Sequence, residues 1–131
     1  MKYFVAIEPK DENNSDYGAL IPDFPGCNAQ ANTLVKTIAD IAEAAEEWIK
    51  SAYENGIDIP EPSDLESLRE QNEDLLNWIW CLVDVDTSKY VDKAERINIT
   101  LPTKVLRRLD RYAELAGETR SGYIANLVLS R

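Results

Sequence analysis

The sequence has no histidine among its 131 residues, and this absence narrows the chemistry that the chain can perform. Histidine is the commonest general base near neutral pH and the commonest transition-metal ligand. Thiols are also scarce, since only Cys27 and Cys81 carry one. Two cysteines lack the density and spacing of a disulfide scaffold or a zinc site, so we expect both to be reduced and structural. We therefore expect no catalytic residue, no metal and no cofactor.

Long apolar runs are missing as well. No run approaches the roughly 18–20 residues that span a bilayer, and the apolar start of the chain reaches Glu8 too early for a signal peptide. We expect a cytoplasmic protein that has no membrane partner. Hydrophobic residues make up 44% and charged residues 29% of the chain, which is close to the average of folded soluble domains. The length leaves room for one ordinary domain or two small modules.

Positive charge is scarce except near the C-terminal end. The net charge is −10, but it is unevenly distributed. Residues 1–94 carry 20 acidic and 7 basic side chains, a net charge of −13, whereas residues 95–131 carry 4 and 7, a net charge of +3. The chain therefore reads as an acidic body followed by a basic tail. A polar segment over 87–93 predicts the boundary, which gives domains at 1–88 and 93–131.

The first part of the body has the pattern of a hairpin followed by a helix. Alternation predicts a strand over Lys2–Glu8, and an apolar run at 17–21 predicts its hairpin partner. Pro25 and Gly26 occupy the central positions expected of a type II turn. Apolar residues spaced by three and four then predict a helix over 33–55. We expect that helix to pack its apolar stripe on the sheet.

The second part of the body predicts a short helix and one more strand. Ser63 followed by Glu66 has the spacing of a capping box, which predicts a mostly polar helix through about Asn72. Residues 77–86 are apolar on both faces, with Trp78 and Trp80 on the same face. Such a strand is expected at the centre of a sheet or in an interface with an oligomer or partner.

The tail reads as a strand followed by two helices. Residues 95–102 alternate strictly, with apolar side chains on one face, until Pro102 ends the strand. An amphipathic helix then stops at Gly117, and a second helix begins near Thr119. One unpaired strand and two short helices cannot bury their own apolar faces. We therefore expect the tail to dimerise through its strand.

This order of elements resembles the ribbon-helix-helix family along the whole tail. In that family two strands pair across a dyad, and the ribbon enters the major groove of DNA. The resemblance implies base contacts from the outward side chains of the strand, which are Arg96, Asn98 and Thr100. It also implies phosphate contacts at the start of the second helix, from Thr119, Arg120 and Ser121.

The body resembles the N-terminal domain of HicB-type antitoxins. The most specific match is the run Pro22–Cys27, which reads Pro-Asp-Phe-Pro-Gly-Cys between the hairpin and the long helix. The resemblance implies a partial ribonuclease H-like fold and a role in neutralising a HicA-type toxin that cleaves mRNA. An acidic body would complement the basic surface that an RNA-cleaving protein needs. Acidic residues that serve only solubility remain an alternative explanation.

Two other functions remain open at this point. The body could sense a small molecule in a stand-alone transcriptional repressor. Alternatively, carboxylates on or beside the strands could hold metal ions for a nuclease; the candidates are Glu8, Asp23, Asp84 and Asp86.

The sequence thus predicts an α+β protein. Its body is a partial ribonuclease H-like domain, an antiparallel sheet with one long helix, and its tail is a ribbon-helix-helix dimerisation module. The leading hypothesis is an antitoxin of a type II toxin-antitoxin system, not an enzyme, which binds a HicA-type toxin and represses its own operon by DNA binding. The expected partners are the toxin, operator DNA and further copies of the chain in a homodimer or higher homo-oligomer. Individual toxin-contacting residues are not assigned.

Overall fold

The computed structural model describes residues 1–90 and 93–131, and the chain forms two compact units, Met1–Asp92 and Lys93–Arg131. The first unit is a four-stranded antiparallel sheet in the order β3-β2-β1-β4, with strands β1 (Lys2–Glu8), β2 (Tyr17–Leu20), β3 (Asn28–Ala31) and β4 (Ile79–Asp84). Its helices are α1 (Leu34–Glu54) and α2 (Leu65–Gln71), with 3₁₀ turns at Glu73–Leu75 and Ser88–Tyr90. The second unit contains α3 (Thr103–Leu115) and α4 (Arg120–Leu129). The predicted α+β class, the hairpin and the long helix are confirmed.

The core of the first unit lies between one face of the sheet and α1. Tyr3, Val5 and Ile7 alternate along β1 and are at most 1% exposed. They pack with the buried stripe of α1, which includes Ile41 and Ile49. The helix ends in a Schellman motif, in which Gly56 adopts a φ of 68°. No helix in the two described ranges is long and apolar enough to cross a bilayer.

The buried stripe of α1 is narrower than the sequence predicts. Leu34 and Ile38, both expected in the core, are each 37% exposed. Thr37 is instead fully buried, and its hydroxyl donates to the carbonyl of Thr33 at 2.7 Å. A buried polar group that is hydrogen-bonded in this way costs little. The apolar side chains in the first turns of α1 are therefore partly exposed to solvent.

The run Pro22–Cys27 makes the tight turn that its sequence predicts. The Cys27 amide donates to the Phe24 carbonyl at 2.9 Å, and Gly26 has a φ of 83°. The turn places Phe24 in the core, where its ring stacks on Trp48 at 4.5 Å and tilts against Tyr3 at 4.4 Å. The Trp48 indole nitrogen also donates to the Pro25 carbonyl at 3.0 Å. The most specific motif of the body is thus part of its core.

The cap of α2 differs from the prediction. Asp64 is the N-cap, and its carboxylate accepts from the Ser67 amide at 2.8 Å. Ser63 does not cap the helix, because its hydroxyl donates to Asp23 at 2.6 Å and its amide donates to the same carboxylate at 2.9 Å. These two hydrogen bonds to Asp23 tie the segment before α2 to the Pro22–Cys27 turn. The predicted N-cap of α2, Ser63, is therefore wrong by one residue.

The position of β4 also differs from the first of the two predicted alternatives. The strand is not central, since it pairs with β1 alone and ends the sheet. Its core-facing residue Val83 is buried, but Ile79 is 44% and Leu82 is 51% exposed. At the edge of the sheet, the second apolar face of β4 is not buried when the single chain folds. The interface alternative thus remains for this strand.

Candidate functional site

The second unit is built on a sharp corner between its two helices. Gly117 adopts a φ of 69°, and the amides of Gly117 and Glu118 donate to the carbonyls of Glu114 and Ala113. This Schellman motif ends α3 at the predicted glycine. Thr119 then caps α4, since its hydroxyl accepts from the Gly122 amide at 3.1 Å. The first helical amides, of Arg120 and Ser121, precede the intrahelical ladder and point out of the helix end.

The apolar side chains of this unit are mostly open to solvent. Ala113 is its one buried hydrophobic residue among those described. The exposed ones lie on the N-terminal segment and on both helices, and include Ile97 at 73%, Ile99 at 60%, Leu115 at 75% and Val128 at 68%. Apolar surface of this extent on a small unit is typical of interaction sites.

The strand predicted over 95–102 is not formed within the single chain. Residues 93–102 belong to no sheet, and residues 93–100 are all exposed. A strand needs a hydrogen-bonded neighbour, and the unit offers none. The alternation of inward and outward side chains that the sequence predicts for this segment is also absent. Ile97, Asn98 and Ile99, which are consecutive, all line one groove.

That groove brings together half of the predicted DNA-contacting residues. It has a volume of about 490 Å³ and lies between the N-terminal segment and the start of α4. Asn98, Arg120 and Ser121 line it, along with apolar side chains such as Ile124. The other three predicted residues, Arg96, Thr100 and Thr119, are exposed and are not part of its lining.

The Arg120 guanidinium has a partner that the sequence analysis missed. Its Nε and one terminal nitrogen donate to the two oxygens of Asp110 at 2.7 and 2.9 Å, in a fork that joins α4 to α3. This hydrogen bonding lowers the pKa of the Asp110 carboxyl below its usual value. A guanidinium has five N–H donors, so three remain for another acceptor. The ten-residue spacing carries no local pattern by which sequence reasoning could have found the pair.

The carboxylates considered for a metal site do not converge. Glu8 pairs with Gly18 at one end of β1, whereas Asp84 pairs with Lys2 at the other end. Asp23 is occupied by Ser63, and Asp86 by the amide and hydroxyl of Ser88. Within residues 1–90 and 93–131, no three metal-ligating side chains of the His, Cys, Asp and Glu types cluster together. The metal site considered for the alternative nuclease function is therefore not assembled among these residues.

The two thiols sit in the first unit and have no activating neighbour among the described residues. Cys27 is buried in the core and Cys81 packs against it. Burial raises the pKa of Cys27 to about 11 and also raises the pKa of Cys81. A thiol whose pKa is raised by burial is a poor nucleophile at neutral pH.

The fold is that of a two-unit α+β protein, in which a sheet with one long helix is followed by a small basic helical unit with exposed apolar side chains. The family model described as the HicB-like antitoxin of bacterial toxin-antitoxin systems matches residues 3–128. The chain belongs to this HicB-like antitoxin family, which is not enzymatic. The predicted resemblance to HicB-type antitoxins is confirmed, and the family match extends beyond the body to residue 128.

Solved structures with this fold include antitoxins. The chain is similar to the Burkholderia pseudomallei antitoxin HicB, with 34% identity and a TM-score of 0.56 over 99% of this chain and 95% of that one. It shares its fold with a chain of the HicA3 and HicB3 toxin-antitoxin complex, at 21% identity and a TM-score of 0.53 over 66% of this chain and 99% of that one.

Two curated proteins are also similar in sequence. One is an uncharacterized 14.9 kDa protein from the rep-hol intergenic region of Haemophilus phage HP1, 32% identical over 100% of this chain and 97% of that protein. The other is the probable tellurium resistance transcriptional regulator TerW of Escherichia coli, 29% identical over 74% of this chain and 66% of that protein.

Proposed function

We propose that this antitoxin neutralises a HicA-type mRNA-cleaving toxin through residues 1–88 and represses its own operon through residues 93–131. In this proposal the body is the partial ribonuclease H-like domain and the tail is a ribbon-helix-helix module that binds operator DNA as a homodimer or higher homo-oligomer. The observation that carries the proposal is the division of the chain into an acidic unit with a complete core and a basic unit with open apolar faces.

Charge supports the first half of the proposal. A protein that cleaves RNA carries a positive surface for phosphate, and residues 1–94 have a net charge of −13. Opposite charges speed association and favour one relative orientation. The likeness to the HicA3 and HicB3 complex adds that a chain with this fold has been crystallised with a toxin.

Open apolar faces support the second half. Pairing of two 95–102 segments would give each the hydrogen-bonded neighbour that it lacks, and would cover Ile97 and Ile99. The resulting two-stranded ribbon fits the major groove, where Arg96, Asn98 and Thr100 would face base edges. The amides of Arg120 and Ser121, at the start of α4, would hold a phosphate. The similarity to a probable transcriptional regulator agrees with this role.

The test of the whole proposal is copurification with the product of the neighbouring gene. A small basic protein encoded in the same operon is expected to elute with this chain and to lose its RNA-cleaving activity when bound. An operon without such a neighbour would contradict the antitoxin role and would favour the stand-alone repressor with a sensing body.

Two substitutions in the tail are expected to weaken DNA binding in different ways. Arg96→Ala should cost about 1–3 kcal/mol on the operator and little on random DNA, because a base-edge contact carries sequence information. Arg120→Ala should weaken binding to all sequences and reduce the salt dependence by about one phosphate per subunit. Band shifts on operator and scrambled duplexes at several salt concentrations measure both effects.

Asp110→Asn is the matched control for Arg120→Ala. It weakens the fork between α3 and α4 but keeps the guanidinium. If Asp110→Asn reduced binding as much as Arg120→Ala, Arg120 would act by holding the helices together rather than by touching phosphate. Equal losses on operator and scrambled DNA would likewise show that Arg96 is a phosphate contact.

A further inference from the structure

The free edge of β4 is the longest apolar strand edge that the first unit leaves open. Among the described residues β4 pairs with β1 alone, and the opposite edge of the sheet is the four-residue β3, which is half polar. Residues 75–83 contain no charged side chain, no proline and no glycine. Natural proteins usually protect an exposed edge with charged side chains or proline, or cover it with a helix or loop.

The strand register fixes which backbone groups face outward from this edge. Met1 and Val85 exchange both backbone hydrogen bonds, at 2.9 and 2.8 Å, so they form a hydrogen-bonded pair. In an antiparallel ladder such pairs alternate with pairs whose N–H and C=O groups point away from each other. The unbroken register therefore turns the backbone groups of Trp80 and Leu82 toward the open edge. These groups are positioned to accept one more strand.

Side chains beside the edge are apolar and partly uncovered. Leu82 is 51%, Ile79 44% and Leu76 41% exposed. Trp80 is half-buried, and its indole nitrogen donates to the Leu75 carbonyl at 3.1 Å. This bond fastens the start of β4 to the preceding turn. The edge thus combines unpaired backbone groups with an apolar surface on a fixed strand.

Charge at both ends of the edge selects its partner. Glu73 and Asp74 precede the uncharged segment, and Asp84 and Asp86 follow it. The Asp84 side chain is 74% exposed, although one oxygen lies 3.6 Å from the N-terminal ammonium. A second copy of this chain would bring the same carboxylates against these, and like charges oppose such pairing. A basic partner would meet complementary charge at both ends.

We propose that the free edge of β4 is the docking edge for the basic toxin, which adds a strand of its own to the sheet beside Trp80 and Leu82. This inference rests on the proposed antitoxin function and specifies its surface. Backbone hydrogen bonds would join the toxin strand to β4, and Leu82 and Ile79 would supply apolar contact. The carboxylates at the two ends of the edge would fix the orientation of the toxin.

Leu82→Pro tests the backbone pairing. The Leu82 amide points away from β1, so proline removes an outward donor while it spares the β1–β4 ladder. We expect toxin affinity of the full chain to fall by about 100-fold, whereas Leu82→Thr, which keeps the amide, should lose about tenfold or less. Urea unfolding of the full chain, monitored by tryptophan fluorescence, checks that the first unit of Leu82→Pro is folded.

A charge pair tests the same edge without changing the strand. Glu73→Lys with Asp74→Lys should weaken toxin binding by about tenfold and lower the association rate, while the matched control Glu46→Lys with Glu47→Lys on α1 should have a smaller effect. The probe is the neighbouring basic protein of the operon in a catalytically inactive form, titrated against full-length chains by calorimetry. If the unaltered chain fails to bind it, the proposed function is wrong. The proposed docking edge is wrong if the unaltered chain binds the probe and the folded edge variants bind it equally well. It is also wrong if toxin affinity falls no more than in the α1 control, or if the edge variants change only the oligomeric state.

Discussion

A chain that ends after residue 92 is expected to bind operator DNA at least about 1,000-fold more weakly than the full chain while it still neutralises the toxin. The net positive charge and the predicted DNA-contacting residues lie in the second unit, whereas the acidic first unit is expected to repel phosphate. The first unit has its own core and should fold alone. Band shifts measure the DNA side, and rescue of cells that express the toxin measures neutralisation.

A second truncation after Ser88 serves as the control. It removes Tyr90, which packs against the core and whose ring lies 5.4 Å from that of Tyr53. We expect this shorter chain to lose about 1 kcal/mol of unfolding free energy or more relative to the chain ending at residue 92. The chain that ends at residue 92 could fold and still fail to rescue cells. In that case either the separation of roles between the two units would be wrong, or tight capture of the toxin would require dimerisation through the tail.

Phe24→Ala is expected to destabilise the first unit by about 3–5 kcal/mol, a large share of the stability of a small domain. Phe24 is fully buried between Tyr3 and Trp48, so its removal leaves a cavity under the Pro22–Cys27 turn. Urea unfolding monitored by tryptophan fluorescence should show the loss. The same variant should also bind the toxin poorly, because less of it is folded.

Phe24→Leu separates the volume of this side chain from its ring. Leucine fills most of the space but cannot stack on Trp48, so we expect a loss of about 1.5 kcal/mol or less. A Phe24→Ala loss below about 1 kcal/mol would mean that the turn relaxes into the cavity and that the motif is not part of the rigid core. Operator binding should change little in either variant, since residue 24 lies in the other unit.

Local signals in the sequence predicted most elements of the fold. The helix expected over 33–55 is observed at Leu34–Glu54, and Gly26 and Gly117 adopt the left-handed backbone at their predicted turn and helix end. These features depend on residues close in sequence, where side-chain spacing and backbone preference act together. The type of protein also followed from such local motifs, above all the Pro22–Cys27 run.

Features that depend on distant residues were missed. The Ser63 hydroxyl pairs with Asp23, 40 residues away, so the cap of α2 falls to Asp64. The fork between Arg120 and Asp110 depends on the angle between two helices, which spacing does not encode. The strand expected over 95–102 is not formed in the single chain, and under our proposal it forms only when two copies pair. The contacts of Arg96, Asn98 and Thr100 with DNA remain predictions for the same reason.

The strand order β3-β2-β1-β4 has a consequence for synthesis on the ribosome. Strand β1 emerges first, yet its partner β4 is the last strand of the first unit to be translated, with Lys2 opposite Asp84. Closing so long a loop is slow, and until then one side of β1 has no neighbour and the core lacks Val83 and Val85. We therefore expect nascent chains that end before β4 to be more sensitive to proteases than chains that include it. Under the proposed function, a ribosome that stalls before β4 would therefore leave the toxin unopposed.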